Sequence, residues 1–336
     1  NPTPPGPQGQ LHASGRYQGW VTAAGCGNGR WKDIALTRGR EDPTRDNWGS
    51  FCYGRDRESG EAWSTTYQPT LRPARRFEAV FVEGKAEFNR RDDDFDCRTE
   101  IVVTPEDDVE VRRLKITNRT TDRKTLDVTS YAEVALALQA ADDSHQAFSK
   151  LFVQTRIVRD RQAIVCTRRP RDEKENTPRL FHLLAVRGPG GGVVSYETDR
   201  LRFLGRGNDA TAPDAIVSGD IRLADGEGSV LDPIMAIRTP VTLEAGETAV
   251  VDLATGVAPD DETLARLLEK YQDERMADKA FDLAWTHGQP LLRQLHVTDA
   301  DAQRPCQLAG AIVHANPVLR AAAATPIRNT HGQPRP

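Results

Sequence analysis

The run Asp142-Asp143-Ser144-His145 sets an imidazole beside two carboxylates, which have the atoms for proton transfer or metal ligation. No second histidine stands at ligand spacing, so the simpler reading is a surface turn. Asp92-Asp93-Asp94 offers hard oxygen donors but lacks the glycine and distal glutamate of an EF-hand loop, which leaves a solvated hairpin turn. The five cysteines (Cys26, Cys52, Cys97, Cys166, Cys306) are scattered, odd in number and form no Cys-x-x-Cys pair. Neither a disulfide framework nor a zinc site is supported, and a reducing compartment fits them. Gly188–Gly192 and Gly205-Arg206-Gly207 are not followed by Gly-Lys-Ser/Thr at a strand-to-helix transition, so they read as turns rather than phosphate cradles.

These groups must be positioned by a chain of 336 residues, long enough for one large domain or two modest ones. Net charge is −4, so there is no basic field to hold a phosphate backbone, and nucleic acid is excluded as a first partner. No stretch approaches the roughly 20 apolar residues that cross a bilayer, which predicts no direct membrane insertion. The amino-terminal NPTPPGPQGQ is unlike a secretion signal, so a cytoplasmic location is expected. Only 8 of the 45 basic residues are lysine, which reads as a GC-rich bacterial coding habit.

From about Gly15 to Val257 the apolar pattern has period two. Lys124–Leu138 is the clearest strand: Leu126, Val128, Ala132, Val134, Leu136 and Leu138 share one parity, while Asp127, Thr129 and Glu133 occupy the other, predicting one dry and one wet face. Val109–Thr117 alternates with a phase slip between Val111 and Leu114, which predicts a β-bulge near Arg112-Arg113. Further strands are expected at Tyr17–Ala23, Gly49–Arg55, Phe77–Val82, Ala86–Arg90, Thr99–Thr104, Leu151–Ile157, Ala163–Thr167, Leu180–Val186, Val193–Thr198 and Thr248–Val257. Arg168–Arg179 and Gly205–Ser229 read as long loops. At Pro259 the period changes. Asp260 can cap a helix carrying Leu264, Leu267, Leu268 and Tyr271, and a second helix carries Phe281, Ala284, Trp285 and Leu292, with Pro290 kinking or dividing it. A third helical stretch is expected at Ala302–Ala315. The fold class is therefore mainly β: a disordered tail at 1–14, a large antiparallel β-sandwich at 15–258, a helical linker at 259–320 and a frayed tail at 321–336.

The segment Gly25–Arg57 (GCGNGRWKDIALTRGREDPTRDNWGSFCYGRDR) resembles the start of the phosphorylase-like region of cyclic β-1,2-glucan synthases. The resemblance continues through AWSTTYQPT (Ala62–Thr70), TPEDD (Thr104–Asp108), SYAEVALALQAADDSHQAFSKLFVQT (Ser130–Thr155) and CTRRPR (Cys166–Arg171). It resumes at YETDRLRFLGRG (Tyr196–Gly207), GSVLDPI (Gly228–Ile234) and LAWTHGQPLLRQL (Leu283–Leu295), in the family's order. More distantly the chain is similar to cellobiose and chitobiose phosphorylases. The resemblance implies a galactose-mutarotase-like sandwich, a helical linker and then an (α/α)6 barrel, expected to start after Ile327–Gln333, where this sequence has three residues left. In the family the general acid and most of the phosphate pocket lie in that barrel, so the isolated chain is expected to be inactive and no catalytic residue is nominated. Phosphorolysis needs an acid and a cationic pocket, hydrolysis two spaced carboxylates, and no carboxylate pair here takes either role from spacing.

The same resemblance places the sugar-facing loop at Gly25–Trp48. The substrate-binding residues it implies are Arg30, Trp31, Asp33, Arg45, Asp46, Asn47 and Trp48, aromatic platforms and planar polar groups of the kind that hold sugar rings. The alternative is a structural loop with both tryptophans packed in the sandwich. The chain departs from the family at Asn28-Gly29, where Tyr-Ser is usual, and at Gly39, where tryptophan is frequent, which points to a relaxed site. The expected role is carbohydrate-associated: binding of a β-glucan oligosaccharide, without metal or organic cofactor, beside a hexosyl-transferring barrel. The second reading is a structural or interaction module that forms a homodimer or recruits a separate barrel chain.

Overall fold

A computed structural model describes residues 8–39, 47–170, 177–188, 192–294, 296–298, 301 and 308–312. The first strands are β1 (Gly9–Ser14), β2 (Tyr17–Thr22), β3 (Gly27–Trp31), β4 (Ile34–Thr37), β5 (Ser50–Asp56), β6 (Ala62–Ser64), β7 (Arg76–Val82), β8 (Lys85–Arg91) and β9 (Phe95–Val103). There follow β10 (Val109–Asn118), β11 (Lys124–Leu138), β12 (Val153–Val158), β13 (Ala163–Arg168), β14 (Arg179–Arg187) and β15 (Ser195–Asp199). The last are β16 (Gly228–Ser229), β17 (Pro233–Leu243) and β18 (Thr248–Ala258). Helices are few: α1 (Gln139–Ser144), α2 (Gln146–Lys150), α3 (Arg200–Leu204), α4 (Asp214–Val217), α5 (Asp261–Gln272) and α6 (Glu274–Gln294).

Two antiparallel sheets stack face to face. One runs β1-β2-β3-β4-β11-β17-β15, with β5 and β6 alongside β11; the other runs β16-β12-β13-β14-β18-β10-β9-β8-β7. Tyr17, Leu36, Leu126, Val128, Leu114, Ile116, Ile237 and Val251 are among the residues that fill the space between them. A polar bridge also crosses it: His182 of β14 holds Thr255 Oγ1 through Nδ1 and Ser130 Oγ of β11 through Nε2, both at 2.8 Å. Burial pulls the His182 imidazole down to about 3, so it stays neutral.

β10 corrects one expectation. It pairs with β9 and β18 in continuous register, without a bulge at Arg112-Arg113. The apparent slip arises because both faces are covered, by different things. Val109 and Val111 pack under α5 and α6, whereas Leu114 and Ile116 point between the sheets. The irregularity lies in β11, between Val134 and Ala137, with Leu136 at φ 45°. β11 overturns a second expectation, because its polar face is dry: Asp127, Thr129 and Glu133 are all buried. Arg57 donates two hydrogen bonds to Asp127 (2.9 and 2.7 Å), and Glu133 is enclosed by arginines described below. The disordered tail expected at 1–14 is also corrected at its inner end, since Gly9–Ser14 pairs with β2 through its whole length; residues 1–7 lie outside the described set.

Asp260 accepts the Thr263 amide at 2.7 Å and starts α5, whose Leu264, Leu267, Leu268 and Tyr271 are buried against the second sheet. α6 runs through Pro290 undivided. Of the third stretch expected at Ala302–Ala315, only 308–312 are described, and they are helical; the expected tail at 321–336, the Ile327–Gln333 motif and Cys306 lie outside.

Candidate functional site

The predicted loop residues do not converge. β3 alternates, so Arg30 and Trp31 leave it on opposite faces. Trp31 joins the core between the sheets and donates its indole N–H to Asp108 at 2.8 Å, with the Lys32 ammonium 4.3 Å above its ring. Asp33 is exposed on the turn that follows. Trp48 packs against the cluster containing Phe51, Tyr53 and Phe203, and its carbonyl accepts the Cys26 thiol. Arg45 and Asp46 lie outside the described residues. Arg30 Nε and Asn47 Oδ1 are buried with no hydrogen-bond partner among the described residues, one an unused donor and the other an unused acceptor. The two departures from the resembled family are neighbours: a Cβ on Gly39 would collide with the Asn28 amide, so the Asn28 side chain fills the space that a residue larger than glycine at 39 would need.

Where β4 runs out beside β11, a second group of residues does converge, one that no local sequence pattern assembles. Arg38 is buried, its Nε and Nη2 clasping the Asp142 carboxylate at 3.0 Å each. Its Nη1 lies 3.4 Å from Glu133 Oε2 and 3.9 Å from Asp232. From the other side Arg200 Nε donates to Glu133 Oε1 at 2.7 Å, where the Tyr131 hydroxyl also donates at 2.8 Å. Lys150 closes the ring with Asp232 at 2.7 Å. Three cations thus face three carboxylates in a largely desolvated pocket, the balance that makes burial of charge tolerable. Burial pushes the Glu133 carboxyl upward, but Arg200 and Arg38 together outweigh it and hold it below its ordinary value. It is a fixed anion, unsuited to donate a proton. Beneath it the Tyr131 and Phe203 rings sit 4.9 Å apart, and Tyr131 stacks on Phe51 at 6.2 Å. Leu138, Phe148, Leu201 and Leu231, from four of the segments that feed the cluster, are exposed.

Four of the family-like motifs meet here. Arg38 comes from the first, Glu133, Asp142 and Lys150 from the long Ser130–Thr155 motif, Arg200 from YETDRLRFLGRG and Asp232 from GSVLDPI. Thr104–Asp108 is a clamp: Asp108 takes Trp31 and Arg16 (2.9 Å), and Asp107 takes Lys270 (2.6 Å) and the Tyr271 hydroxyl (2.9 Å) of α5. His145 is exposed at the junction of α1 and α2. Asp92 and Asp93 are held by Arg90 and Arg75 in the β8–β9 hairpin. The signal for the buried cluster was an acid inside an apolar strand, YAEVALAL, which must find a cation wherever the fold brings one.

The carboxylate that burial raises, Glu197 on β15, accepts the Thr198 and Asp199 amides at 2.9 Å each and serves the start of α3. Among the described residues no three His, Cys, Asp or Glu side chains converge as a metal would require, and no helix is long and apolar enough to cross a membrane.

Comparison with known proteins agrees with this architecture. The chain is 34% identical over 315 residues to cyclic beta-(1,2)-glucan synthase NdvB of Rhizobium meliloti, covering 94% of this chain and 11% of that one. It is 23% identical to solabiose phosphorylase of Paenibacillus borealis over 66% of this chain and 27% of the enzyme. It therefore spans about a tenth to a quarter of the length of these relatives. A bacterial glucoamylase complexed with acarbose superposes with TM-score 0.47 at 9% identity, covering 85% of this chain and 38% of that one, a likeness that speaks to neither substrate nor mechanism. Residues 1–274 match the family described as glycosyl hydrolase 94, supersandwich domain, and the chain belongs to it.

Proposed function

We propose that this domain is a carbohydrate-binding, non-catalytic wall of a glucan synthase-like or glycoside phosphorylase-like assembly, meeting β-1,2-linked glucan through the outer side of β3 and the Asn47–Trp48 turn. The observation that carries this reading is the family match over residues 1–274, with Arg30, Asn47 and Trp48, three of the residues the resemblance assigns to sugar, each only half-buried. Trp31, committed to the core, takes no part. The chemistry of hexosyl transfer is assigned elsewhere, because Glu133 in the converging cluster is held as an anion by Arg38 and Arg200. Calorimetric titration with linear and cyclic β-1,2-glucans tests this. Binding in the millimolar range or tighter, lost in Arg30→Ala and weakened in Asn47→Ala, is expected. No heat at millimolar sugar, or turnover of glucan by the purified chain, overturns it.

The exposed Leu138, Phe148, Leu201 and Leu231 around the ionic ring favour a second reading, an interaction surface for a further domain or chain. A monomer whose solution mass and stability are unaltered by any such partner counts against it.

A further inference from the structure

On the far side of the molecule α6 overhangs the second sheet. Its amino-terminal half lies over apolar strand residues, but beyond Phe281 the sheet beneath becomes charged. Phe281 and Trp285, one helical turn apart, form an aromatic wall; Phe281 is fixed, with the Arg113 guanidinium 4.6 Å from its ring, whereas Trp285 is 54% exposed. The floor is borne on three adjacent strands. Glu100 of β9 sits between Lys85 of β8 (3.2 Å) and Lys115 of β10 (3.0 Å), and Arg113 is anchored on Asp252 at 2.8 Å. Between wall and floor is a cavity of about 270 Å³ whose charged lining is Lys85, Lys115 and Arg113 against Glu83, Glu100 and Asp282.

Three physical facts limit what fits. The lining charges cancel, so a strongly anionic or cationic ligand gains nothing from the field. The ammonium and carboxylate groups keep unused donor and acceptor sites after pairing with each other. An exposed indole opposite such a floor suits a ligand with one apolar face and a rim of hydroxyls. The volume, just under the roughly 300–1,000 Å³ of most small-molecule sites, suits one or two rings.

We propose that this cleft is a second saccharide site, in which Trp285 stacks on the apolar face of a neutral sugar and Lys85, Glu100 and Lys115 hold its hydroxyls. It lies on the opposite sheet from the Arg30–Asn47 surface and rests on the reading above only for the choice of probe. The test is calorimetry with the β-1,2-linked glucose disaccharide on the intact chain and on Trp285→Ala, Trp285→Tyr and Arg30→Ala. Trp285→Ala is expected to weaken one binding event about tenfold, with Trp285→Tyr restoring it and thermal melting unchanged, because the side chain is exposed. Binding that Trp285→Ala leaves untouched overturns the cleft, and if Arg30→Ala abolishes it the β3 reading stands alone. Binding that responds to Trp285→Ala but not to Arg30→Ala leaves the cleft standing without the β3 site. No binding to the wild-type chain at millimolar sugar removes both.

Discussion

The two sheets are covered in different ways, one by apolar contact and the other by apolar contact reinforced with buried charge. The second is roofed by α5, whose Leu264, Leu267, Leu268 and Tyr271 bury against Val109, Val111 and Phe181, a cover of oily contact and periodic sequence. The first is roofed by short irregular segments around α1–α4, which bury Phe203, Leu204 and Ile216 on Tyr53 and Tyr131 and are in addition pinned by Arg38, Arg200 and Lys150 onto Glu133, Asp142 and Asp232. An apolar roof fails gradually as contacts are trimmed. An ionic roof fails at once, because removing one charge leaves its partner buried and unpaired.

The sharpest test of that contrast is Arg38→Ala, which strands Asp142 and Glu133 and is expected to destabilise by about 3–5 kcal/mol in denaturant unfolding. Leu268→Ala under α5 is expected to cost about 2–4 kcal/mol; if it equals or exceeds Arg38→Ala, the two roofs do not differ as argued. Acid should discriminate further. His182 is lowered to about 3 and His12 to about 4, both chiefly by burial, so between those values and the ordinary 6.5 the unfolded chain binds protons that the folded chain refuses. Stability is therefore full above about pH 6.5 and falls on acidification through the folded values, with a slope of about 1.4 kcal/mol per pH unit for each histidine. The lowered value of Glu133 adds loss in the same direction below its unfolded value of 4.5. His182→Gln should flatten the upper part of that slope by one proton. The smallest effect is expected from Tyr271→Phe, which removes the hydroxyl from Asp107 but keeps the ring, at about 1 kcal/mol.

The same contrast explains what the sequence disclosed. A strand that alternates, such as the one around Phe88, and the leucine stripe of α5 were visible because one covering surface imposes one period. β17 was not, since Pro233 and Pro240 read as breakers and burial on both faces erases alternation. β3 carries Gly27 and Gly29 in place of a pattern, and β4 is four residues long. The bulge expected in β10 had the same origin, a strand covered on both sides. The loop at Gly25–Trp48 was found by resemblance, but only strand geometry separates Arg30 from Trp31. The ionic cluster was illegible for a different reason: its pairs join residues 95 and 104 positions apart, a distance no local rule spans.

β11 exchanges partners along its length, pairing with Ser50–Asp56 in its first half and with Ile34–Thr37 in its second. During synthesis those earlier strands emerge with their hydrogen-bonding edges open and wait until Leu138 has left the ribosome before their sheet can close. The nascent amino-terminal third is thus the stage at which this polypeptide is most exposed to wrong pairing, and shortening the wait is where a folding helper would act.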